Sequence, residues 1–207
     1  MAVMPMFPLG TPLLPGAVIP LHVFEPRYRQ MVRDLLADDD DPPEFGVVMI
    51  ERGREVGGGD ERSTIGTVAR VVDIEVTPDG RYAIAAVGVE RLRVVAWLPD
   101  DPYPLADVDR WPDDDTGAVL TADTIEALHV RVREINVLVR DLGDIAPPPD
   151  IEISDDPQLA LFHLAALSPL GAADRQRILA APGSAERVVA LREALDDAAA
   201  VLEFRRT

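Results

Sequence analysis

Side chains of the types that usually bind zinc, histidine and cysteine, are few and scattered in this sequence. The chain has no cysteine and three histidines, His22, His129 and His163. Zinc sites use histidine and thiolate ligands at short spacings such as H-E-x-x-H, and the sequence contains no such arrangement. The absence of cysteine also excludes disulfides and thiol catalysis. We therefore predict neither a metal site nor a cofactor.

Carboxylates and glycines form three further patterns that resemble functional sites. The aspartate runs Asp38–Asp41 and Asp113–Asp115 lack the ligand spacing and the glycine turn of a calcium loop, so we predict that both are solvated acids in loops. Glu25 and Glu90 are candidates for acid–base chemistry, but the sequence pairs neither with a nucleophile. The glycine run at 57–59 does not open a helix after a strand, which favours a flexible linker over a phosphate-binding loop.

All 20 basic residues are arginine, and the sequence has no lysine. A P-loop needs a lysine ammonium on the β and γ phosphates of a nucleotide, so an ATPase site of that type is excluded. A Ser–Lys dyad needs a lysine whose pKa can be lowered until it deprotonates the serine, whereas arginine stays charged. We predict that the chain is not an enzyme. An unrecognised enzyme is the alternative, and a deep pocket with convergent polar groups would favour it.

Composition and charge narrow the class of protein. With 207 residues, 47% of them hydrophobic, the chain can bury a sizeable core. Its formal net charge of −17 opposes binding to nucleic acid, which depends on contacts from basic residues to phosphate. No apolar run approaches the roughly 18 residues that span a membrane, and the proline-rich start does not resemble a secretory signal. We expect a cytoplasmic protein that binds neither nucleic acid nor membrane.

The segment Pro5–Met31 predicts two apolar strands, a proline-stiffened turn between them, and a helix that begins at Pro26. Proline fixes φ and lacks an N–H, so the prolines of this segment are expected at strand ends, edges and turns. Proline suits the first position of a helix, and the preceding Glu25 is favourable near the positive end of the helix dipole. Apolar residues then recur at helical spacing, which predicts one buried face: Tyr28, Met31, Val32, Leu35 and Leu36.

The remainder of the first half is rich in strand signals. Residues 45–50 form a continuous apolar run, which predicts a buried strand. A glycine-containing loop is predicted over 52–63. The runs 65–76 and 82–89 flank the turn sequence T-P-D-G, which predicts a β-hairpin. A bend at Gly88 and a further strand over 91–97 complete this half.

The first hairpin strand also makes a burial prediction. Val72, Ile74 and Val76 alternate with Asp73 and Glu75. Successive side chains of a strand point to opposite faces of the sheet, so we expect the three apolar side chains to be buried and the two acids to face solvent.

Helical spacing dominates the second half. Asp123 and Glu126 resemble a capping box, and Gly143 is placed to end the helix that follows. Three more helices are predicted over 157–167 and 174–181 and from Ser184 onward. The inward-facing residues of the first and last helices favour packing within the chain over a coiled coil: Ile125, Leu128, Val132, Ile135, Val139, Leu142, Val188, Leu191, Leu195 and Leu202.

Four sequence blocks follow one another over roughly the first hundred residues: FPLGTPLLPGAVIPLHVFEPRYRQMV, FGVVMIERG, IGTVARVVDIEVTPDGRYAIAAVGVERLRV and PYPLADV. In order and spacing they resemble the amino-terminal substrate-binding domain of Lon proteases. The later block DRQRILAAPGSAERVVALREAL is similar to the helices that follow this domain. The resemblance implies an α+β fold. An N-terminal PUA-like antiparallel or mixed β domain, a pseudo-barrel with one early helix, would span 1–112, and a C-terminal helical bundle would span 117–207.

The first block contains the residues that the resemblance marks as a structural signature without a catalytic role: Pro8, Pro15, Gly16, Phe24, Glu25, Pro26, Arg27, Tyr28 and Arg29. The charged members, Glu25, Arg27 and Arg29, are expected to form hydrogen-bonded supports at the start of the helix. Because lysine is absent, the resemblance is to the recognition domain alone, without the ATPase and peptidase domains.

The resemblance implies a non-catalytic recognition protein that binds unfolded or extended polypeptide, or a protein partner. An exposed sheet edge would receive an extended peptide through backbone hydrogen bonds, and the acidic charge favours basic or amphipathic partners. The alternative is a regulatory adaptor that docks on a separate protease or another assembly; no oligomeric state is predicted. Candidate contacts are three aromatics and a nearby loop: Arg54, Asp60, Trp97, Tyr103 and Trp111. For the aromatics, the competing interpretation is that they close the core.

Overall fold

The structure of the protein is a computed structural model that describes residues 2–37, 42–53, 59–114 and 120–206. The chain divides into two compact units, Met1–Pro112 and Asp113–Thr207. Within these described ranges the first unit contains six strands and one helix, and the second contains four helices. This observation confirms the predicted α+β class. In the described part of the chain, no helix has the length and apolar character needed to cross a membrane.

The first unit, which we call the β unit, contains its helix between the second and third strands. The bounds are β1 Ala2–Leu9, β2 Val18–Val23, α1 Pro26–Ala37, β3 Glu44–Arg52, β4 Glu61–Val76, β5 Tyr82–Leu98 and β6 Leu105–Arg110.

The six strands form one sheet in the order β2-β5-β4-β3-β1-β6, and β5 also pairs with β6. Five strands therefore form a closed ring of pairings. The 17-residue β5 makes this ring possible, because its first half pairs with β2 and its second half with β6, while β4 pairs along its other side. Among the strands of the described residues, β1 and β3 are the one parallel pair. Among the described residues β2 pairs with β5 alone, so β2 is an edge strand.

Helix α1 covers the larger of two apolar clusters in the β unit. It begins at Pro26, as the sequence predicts, and buries Tyr28, Met31 and Val32 against the sheet. The ring of Tyr28 stacks on Phe7 with a centroid distance of 4.2 Å. The second cluster lies around Met6 and holds further residues of β1, β3, β4, β5 and β6. The prediction of a buried face on α1 is wrong for Leu36, which is 43% exposed, because Leu35 and not Leu36 packs against the cluster.

The predicted hairpin is confirmed, but its predicted burial is wrong at Val72 and Val76, whereas Ile74 packs against the larger cluster and the two acids are exposed. Strand β4 ends at Val76, β5 begins at Tyr82, and Gly80 takes the positive φ (74°) that a tight turn requires. Val72 and Val76 are nevertheless 57% and 64% exposed. A register shift between Val71 and Asp73 places Val72 in a β-bulge, which breaks the two-residue alternation of side chains.

Strand β5 continues through Gly88, and its pairing with β4 shifts register beside this residue, between the pairs Val68–Glu90 and Ala69–Gly88. Such a bulge bends a strand locally. A Cβ atom at Gly88 would lie 2.5 Å from the carbonyl oxygen of Leu14. The backbone of Gly88 instead donates to Ala17 and accepts from Gly16, at 2.9 and 2.8 Å. Glycine is therefore required here for the close approach of the segment before β2. The loop predicted over 52–63 is shorter in the structure, because β3 extends to Arg52 and β4 begins at Glu61.

The second unit, which we call the helical unit, contains α2 Ala122–Asp141, α3 Pro157–Ala166, α4 Ala172–Leu179 and α5 Ser184–Arg206. The N-cap of α2 is Thr121, whose side chain accepts from the backbone N–H of Thr124 at 3.2 Å. The prediction of Asp123 as the N-cap is wrong by two residues, because a threonine hydroxyl satisfies the same free N–H groups. Gly143, at φ 81°, follows the C-cap as predicted.

An ion pair lies inside the helical unit. The guanidinium of Arg187, which is 0% exposed, donates two hydrogen bonds of 2.6 Å to the carboxylate of Asp113. The same guanidinium lies over the ring of Phe162, with its Cζ atom 4.1 Å from the centroid. The predicted solvation of the Asp113–Asp115 run is therefore wrong for Asp113, whose side chain is 7% exposed. The run at 38–41 lies outside the described residues.

Candidate functional site

A groove of about 590 Å³ opens in the β unit beside the first half of β1. We call it the β1 groove. Its walls come from β1, the second half of α1, the segment that enters β3, and single residues of β4, β6 and the β5–β6 connection. The lining residues are Val3, Met4, Pro5, Asp34, Leu35, Pro42, Pro43, Glu44, Arg70, Tyr103 and Arg110.

The β1 groove exists because β1 changes its pairing partners halfway along. Ala2–Pro5 pairs with β6 on one side, whereas Met6–Leu9 pairs with β3. Among the described residues no strand pairs with the other side of Ala2–Pro5. Pro42 and Pro43 precede β3 and have no N–H to extend its ladder toward β1. The groove therefore presents an unpaired backbone edge, which is a template for adding an extended chain.

One wall of the groove is a chain of ion pairs. The carboxylate of Glu44 accepts from Arg70 at 2.8 Å and from Arg110 at 3.1 Å, and Arg110 also donates to Glu90. The Glu44 side chain is 14% exposed, but those of Arg70 and Arg110 are 44% and 47% exposed. A guanidinium carries five N–H donors, so both arginines can donate to a bound chain while they hold Glu44.

Tyr103 contributes to the opposite wall. Its ring is buried with Phe7 and Tyr28 in the larger cluster, and its hydroxyl donates to the carboxylate of Asp34 at 2.9 Å. Burial raises the pKa of Tyr103 to about 12, and the hydrogen bond to Asp34 and the charge of that carboxylate act in the same direction. Tyr103 is thus a neutral donor that positions Asp34 at the groove, and its ring serves the core.

Two further predicted residues, Asp60 and Trp97, meet around Arg62. The guanidinium of Arg62 lies over the indole of Trp97 at 4.7 Å and bonds Asp60 at 2.7 Å and Asp100 at 3.3 Å. Burial works to raise the pKa of Asp60, but the hydrogen bonds and charge of Arg62 outweigh it, with a smaller contribution from Arg27, and the pKa is lowered. Arg62 thus covers the Trp97 ring.

Trp111 occupies a third place. Its ring lies beneath the guanidinium groups of Arg91 and Arg93, with Cζ-to-centroid distances of 4.0 and 4.5 Å. The backbone N–H of Trp111 donates to the Arg91 carbonyl at 2.9 Å. The three predicted aromatics, Trp97, Tyr103 and Trp111, therefore lie in three different surroundings. The remaining candidate, Arg54, lies outside the described residues.

The residues of the structural signature lie along β1, the turn after it and the start of α1. Pro8 immediately precedes Leu9, which is the last residue of β1. Pro15 precedes Gly16, which has a φ of 80°, and Pro26 is the first residue of α1. At the helix entry Arg27 donates to Glu25 at 3.1 Å and lies over the ring of Tyr28. Phe24 is 52% exposed. A Cβ atom at Gly80 would lie 3.1 Å from a terminal nitrogen of Arg29, so this guanidinium lies against the hairpin turn.

Sequence reasoning missed most of the β1 groove. Glu44, Arg70 and Arg110 are far apart in the sequence, and only the strand register brings them together. The one local signal was the proline pair at 42–43, which is typical of an interrupted strand start. No group of three or more histidine, aspartate or glutamate side chains in the described ranges has the geometry of a metal site.

Comparisons of this chain with a family model and with individual proteins both identify Lon proteases. The family model described as the ATP-dependent protease La (LON) substrate-binding domain matches residues 3–197. Lon protease 2 of Myxococcus xanthus is 30% identical over 147 residues, which is 70% of this chain and 17% of that protein. Lon protease 1 of Herpetosiphon aurantiacus is 23% identical over 98% of this chain and 25% of its own length. The chain thus spans a quarter or less of these relatives.

Two solved structures are similar in fold. The Lon N-terminal domain protein of Xanthomonas campestris superimposes with a TM-score of 0.69 at 27% identity, covering 93% of this chain and 98% of its own. The N-terminal domain of the Mycobacterium avium complex Lon protease gives a TM-score of 0.61 at 20% identity, covering 95% and 99%. With a family model that matches nearly every residue, this chain belongs to the Lon substrate-binding domain family.

Proposed function

We propose that the chain is a non-catalytic recognition protein that binds extended polypeptide segments in the β1 groove. Family membership supports recognition of a substrate, because the family is described as the substrate-binding domain of a protease. The observation that carries the proposal is the unpaired backbone edge of Ala2–Pro5 inside the groove. Unfolded polypeptide is the ligand that such an edge recognises, since folded proteins satisfy their backbone groups internally.

Binding at this edge depends mainly on the backbone of the ligand. Met6 donates to Pro104 on the β6 side, and alternate residues of a strand direct their backbone groups to the same side. Val3 therefore presents its N–H and C=O to an added strand, whereas Pro5 presents a C=O alone and limits the ladder at that end. Val3, which is 59% exposed, and the half-buried Leu35 offer apolar contacts to alternate side chains. Backbone pairing tolerates many side chains, so we expect a broad set of sequences to bind.

The arginines of the groove add a second kind of contact. Arg70 and Arg110 would donate to carbonyl oxygens or to a carboxylate of the bound chain, and hydrogen bonds from a charged donor are stronger than neutral ones. The proposal assigns no reaction to this wall, because Glu44 is held between the two guanidinium groups. Both oxygens of the Glu44 carboxylate already accept hydrogen bonds, one from Arg70 and the other from Arg110.

The other free edge, that of β2, is a poorer site. Pro20 lies near the middle of β2, opposite Ala85 of β5. Proline on an edge strand cannot donate to a ladder and is one of the features that oppose strand addition. We therefore assign polypeptide binding to β1 and not to β2.

We also propose an architecture for each unit, a preferred ligand charge and a cellular setting. The closed ring of strand pairings supports a PUA-like pseudo-barrel over 1–112, and contacts among α2, α3, α4 and α5 support a helical bundle over 117–207. The net charge of −17 supports basic or amphipathic ligands over nucleic acid. We place this activity in the cytoplasm, away from membranes.

The test is fluorescence anisotropy with a peptide chosen from an array of random 12-residue peptides. A second version of that peptide, N-methylated at alternate residues, keeps every side chain but lacks half of the backbone donors. We expect N-methylation on the edge-facing residues to weaken binding by about tenfold or more, equivalent to ~1.4 kcal/mol or more. Equal affinity of the two versions would refute backbone pairing.

Matched variants place the peptide on the protein. Val3→Asp introduces a charge in the groove, and Val76→Asp introduces the same charge at a similarly exposed valine of the distant hairpin. We expect about a tenfold loss of affinity for Val3→Asp and less than about twofold for Val76→Asp. An equal loss in both variants would show that general charge repulsion, and not the groove, controls binding.

The adaptor is the second candidate function, and exposed apolar residues of the helical unit favour it. Val201 and Phe204 on α5 are 60% and 82% exposed, as is typical of a surface that contacts another protein. Purification of the tagged chain from a native lysate separates the two functions. A single partner at constant stoichiometry would support the adaptor, whereas a spread of unfolded clients that competes with the groove peptide would support the recognition protein.

A further inference from the structure

The helical unit contains a groove of about 430 Å³ that runs along α5. We call it the α5 groove. One helix face supplies one wall, through side chains that repeat at helical spacing: Ala194, Asp197, Ala198, Val201, Leu202 and Arg205. The other wall includes Ile145, after α2, and Leu170, before α4. The groove therefore follows the axis of a helix and is open along its length.

Its dimensions suit a second helix. The residues from Ala194 to Arg205 span 11 steps of about 1.5 Å, which gives a groove about 17 Å long, or three helical turns. Ala198 is the small side chain of this face that stays partly exposed, whereas Ala194 is 1% exposed and belongs to the core. A helix packed on Ala198 would approach the α5 backbone closely, at the short interaxial distances of about 8 Å that small contact residues allow.

The groove also presents apolar surface to solvent. The deepest lining side chains are buried and apolar, among them Leu170 and Leu202. At its rim Ile145 is fully exposed and Val201 is 60% exposed. An apolar floor with exposed apolar side chains at its edge is typical of grooves that accept the apolar face of an amphipathic helix.

Acidic side chains surround this apolar surface. Asp144, Asp174 and Asp197 line the groove, and Arg205 is the one basic lining residue among the described side chains. Arg205 is bound to Asp144 at 2.9 Å, and Arg177, outside the lining, lies 3.7 Å from Asp174. Three aspartates against one arginine give the lining a net negative charge, and Asp197 is the acid that the proposal uses. A second copy of this chain would bring an equally acidic groove and a total charge of −17, so self-association at this face is opposed.

We propose that the α5 groove binds a basic amphipathic helix of a partner protein. The apolar stripe of that helix would contact Val201, Ile145 and Ala198, and its basic residues would lie beside Asp197. Charge complementarity selects basic over acidic helices and speeds their association. This inference does not depend on the β1 groove, because the two grooves lie in different units and share no residue.

The test uses the full chain and two synthetic 18-residue helical peptides with the same leucine stripe. One peptide carries lysine on its flanks, and the other carries glutamate at the same positions. We expect the lysine peptide to bind at least about tenfold more tightly at low salt, with a loss of affinity as salt rises. Amide NMR shifts caused by the lysine peptide should concentrate in the last three turns of α5.

Matched variants separate the groove from general attraction to an acidic protein. Val201→Arg should weaken the lysine peptide by about tenfold, whereas Val189→Arg, at a 53% exposed valine elsewhere on α5, should leave the affinity within about twofold. Asp197→Lys should weaken it more than Glu203→Lys, which makes the same charge change at an exposed residue outside the groove. Circular dichroism confirms that each variant is folded.

Two results would overturn the proposal. One is equal affinity for the lysine and glutamate peptides. The other is an equal loss of affinity within each matched pair of variants, because the peptide would then bind through diffuse charge. Either result leaves the N-methylated peptide test of the β1 groove unaffected, so the two proposals fail separately.

Discussion

Removal of the Asp113 carboxylate is expected to destabilise the helical unit by about 3–5 kcal/mol, the usual cost of leaving one partner of a buried ion pair without the other. Arg187 is 0% exposed and donates two hydrogen bonds of 2.6 Å to Asp113. Hydrogen bonds to charged groups contribute about 1.5–3 kcal/mol each, which gives a sum in the same range. The contact of Arg187 with Phe162 survives in Asp113→Ala, so the cost is that of the uncompensated charge.

The assay is urea unfolding followed by two signals. Both tryptophans, Trp97 and Trp111, lie in the β unit, so their fluorescence follows that unit, whereas circular dichroism at 222 nm follows mainly the four helices of the other unit. With a slope near 1.5 kcal/mol per molar urea, Asp113→Ala should lower the midpoint of the helical transition by about 2–3 M. Separate signals are needed because a chain of two units need not unfold in one step.

The double variant Asp113→Ala/Arg187→Met provides the control. Replacing both members of a buried pair with apolar groups is often close to neutral, and methionine retains the apolar stem. We expect the double variant to be more stable than Asp113→Ala alone, with a coupling energy of about 2 kcal/mol or more. A midpoint shift below about 0.5 M in Asp113→Ala, or purely additive effects in the cycle, would refute the isolation of this ion pair from water.

The remaining predictions concern the β unit. Gly66→Ala should destabilise it strongly, because the new Cβ would lie 2.2 Å from the carbonyl oxygen of Val47, and urea unfolding followed by tryptophan fluorescence should show the loss. The lowered pKa of Asp60 means that its contribution to stability is full above the unfolded value of about 3.9 and is lost as pH falls through the folded pKa, so Asp60→Asn should flatten the pH dependence of the unfolding midpoint in acid. Burial raises the pKa of Tyr28 to about 12, so stability should fall between about pH 10 and 12, and Tyr28→Phe should remove part of that fall in alkaline unfolding measurements.

Local signals predicted the elements that local physics controls. Proline at the first position of α1 and the turn before Tyr82 act within a few residues, and both predictions are confirmed. The family resemblance supplied what local patterns do not, since no short-range signal specifies the parallel pairing of β1 with β3. The burial prediction failed at Val72 because a bulge depends on the register of two strands, which the alternation of one strand does not encode.

The candidate site was harder to predict for the same reason. Its arginines lie on β4 and β6 and meet at Glu44, which belongs to β3. Likewise, Asp113 and Arg187 are 74 residues apart, so nothing in the aspartate run indicated that one of its members is buried. Contacts of this kind follow from the topology of the folded chain and not from any spacing in the sequence.

Arginine is the only basic side chain in this sequence apart from histidine, and this affects the surroundings of the aromatic rings. Arg62 covers Trp97, Arg91 and Arg93 cover Trp111, and Tyr103 is buried. Planar guanidinium groups stack on rings and bond carboxylates at the same time, which a lysine ammonium does less well. A ring covered by a guanidinium presents less open face to a ligand. The proposed binding of polypeptide therefore uses the edge of β1, where no strand of the described residues pairs with one side of Ala2–Pro5. An edge binds backbone more than side chains, which fits the proposed recognition of polypeptides of many sequences.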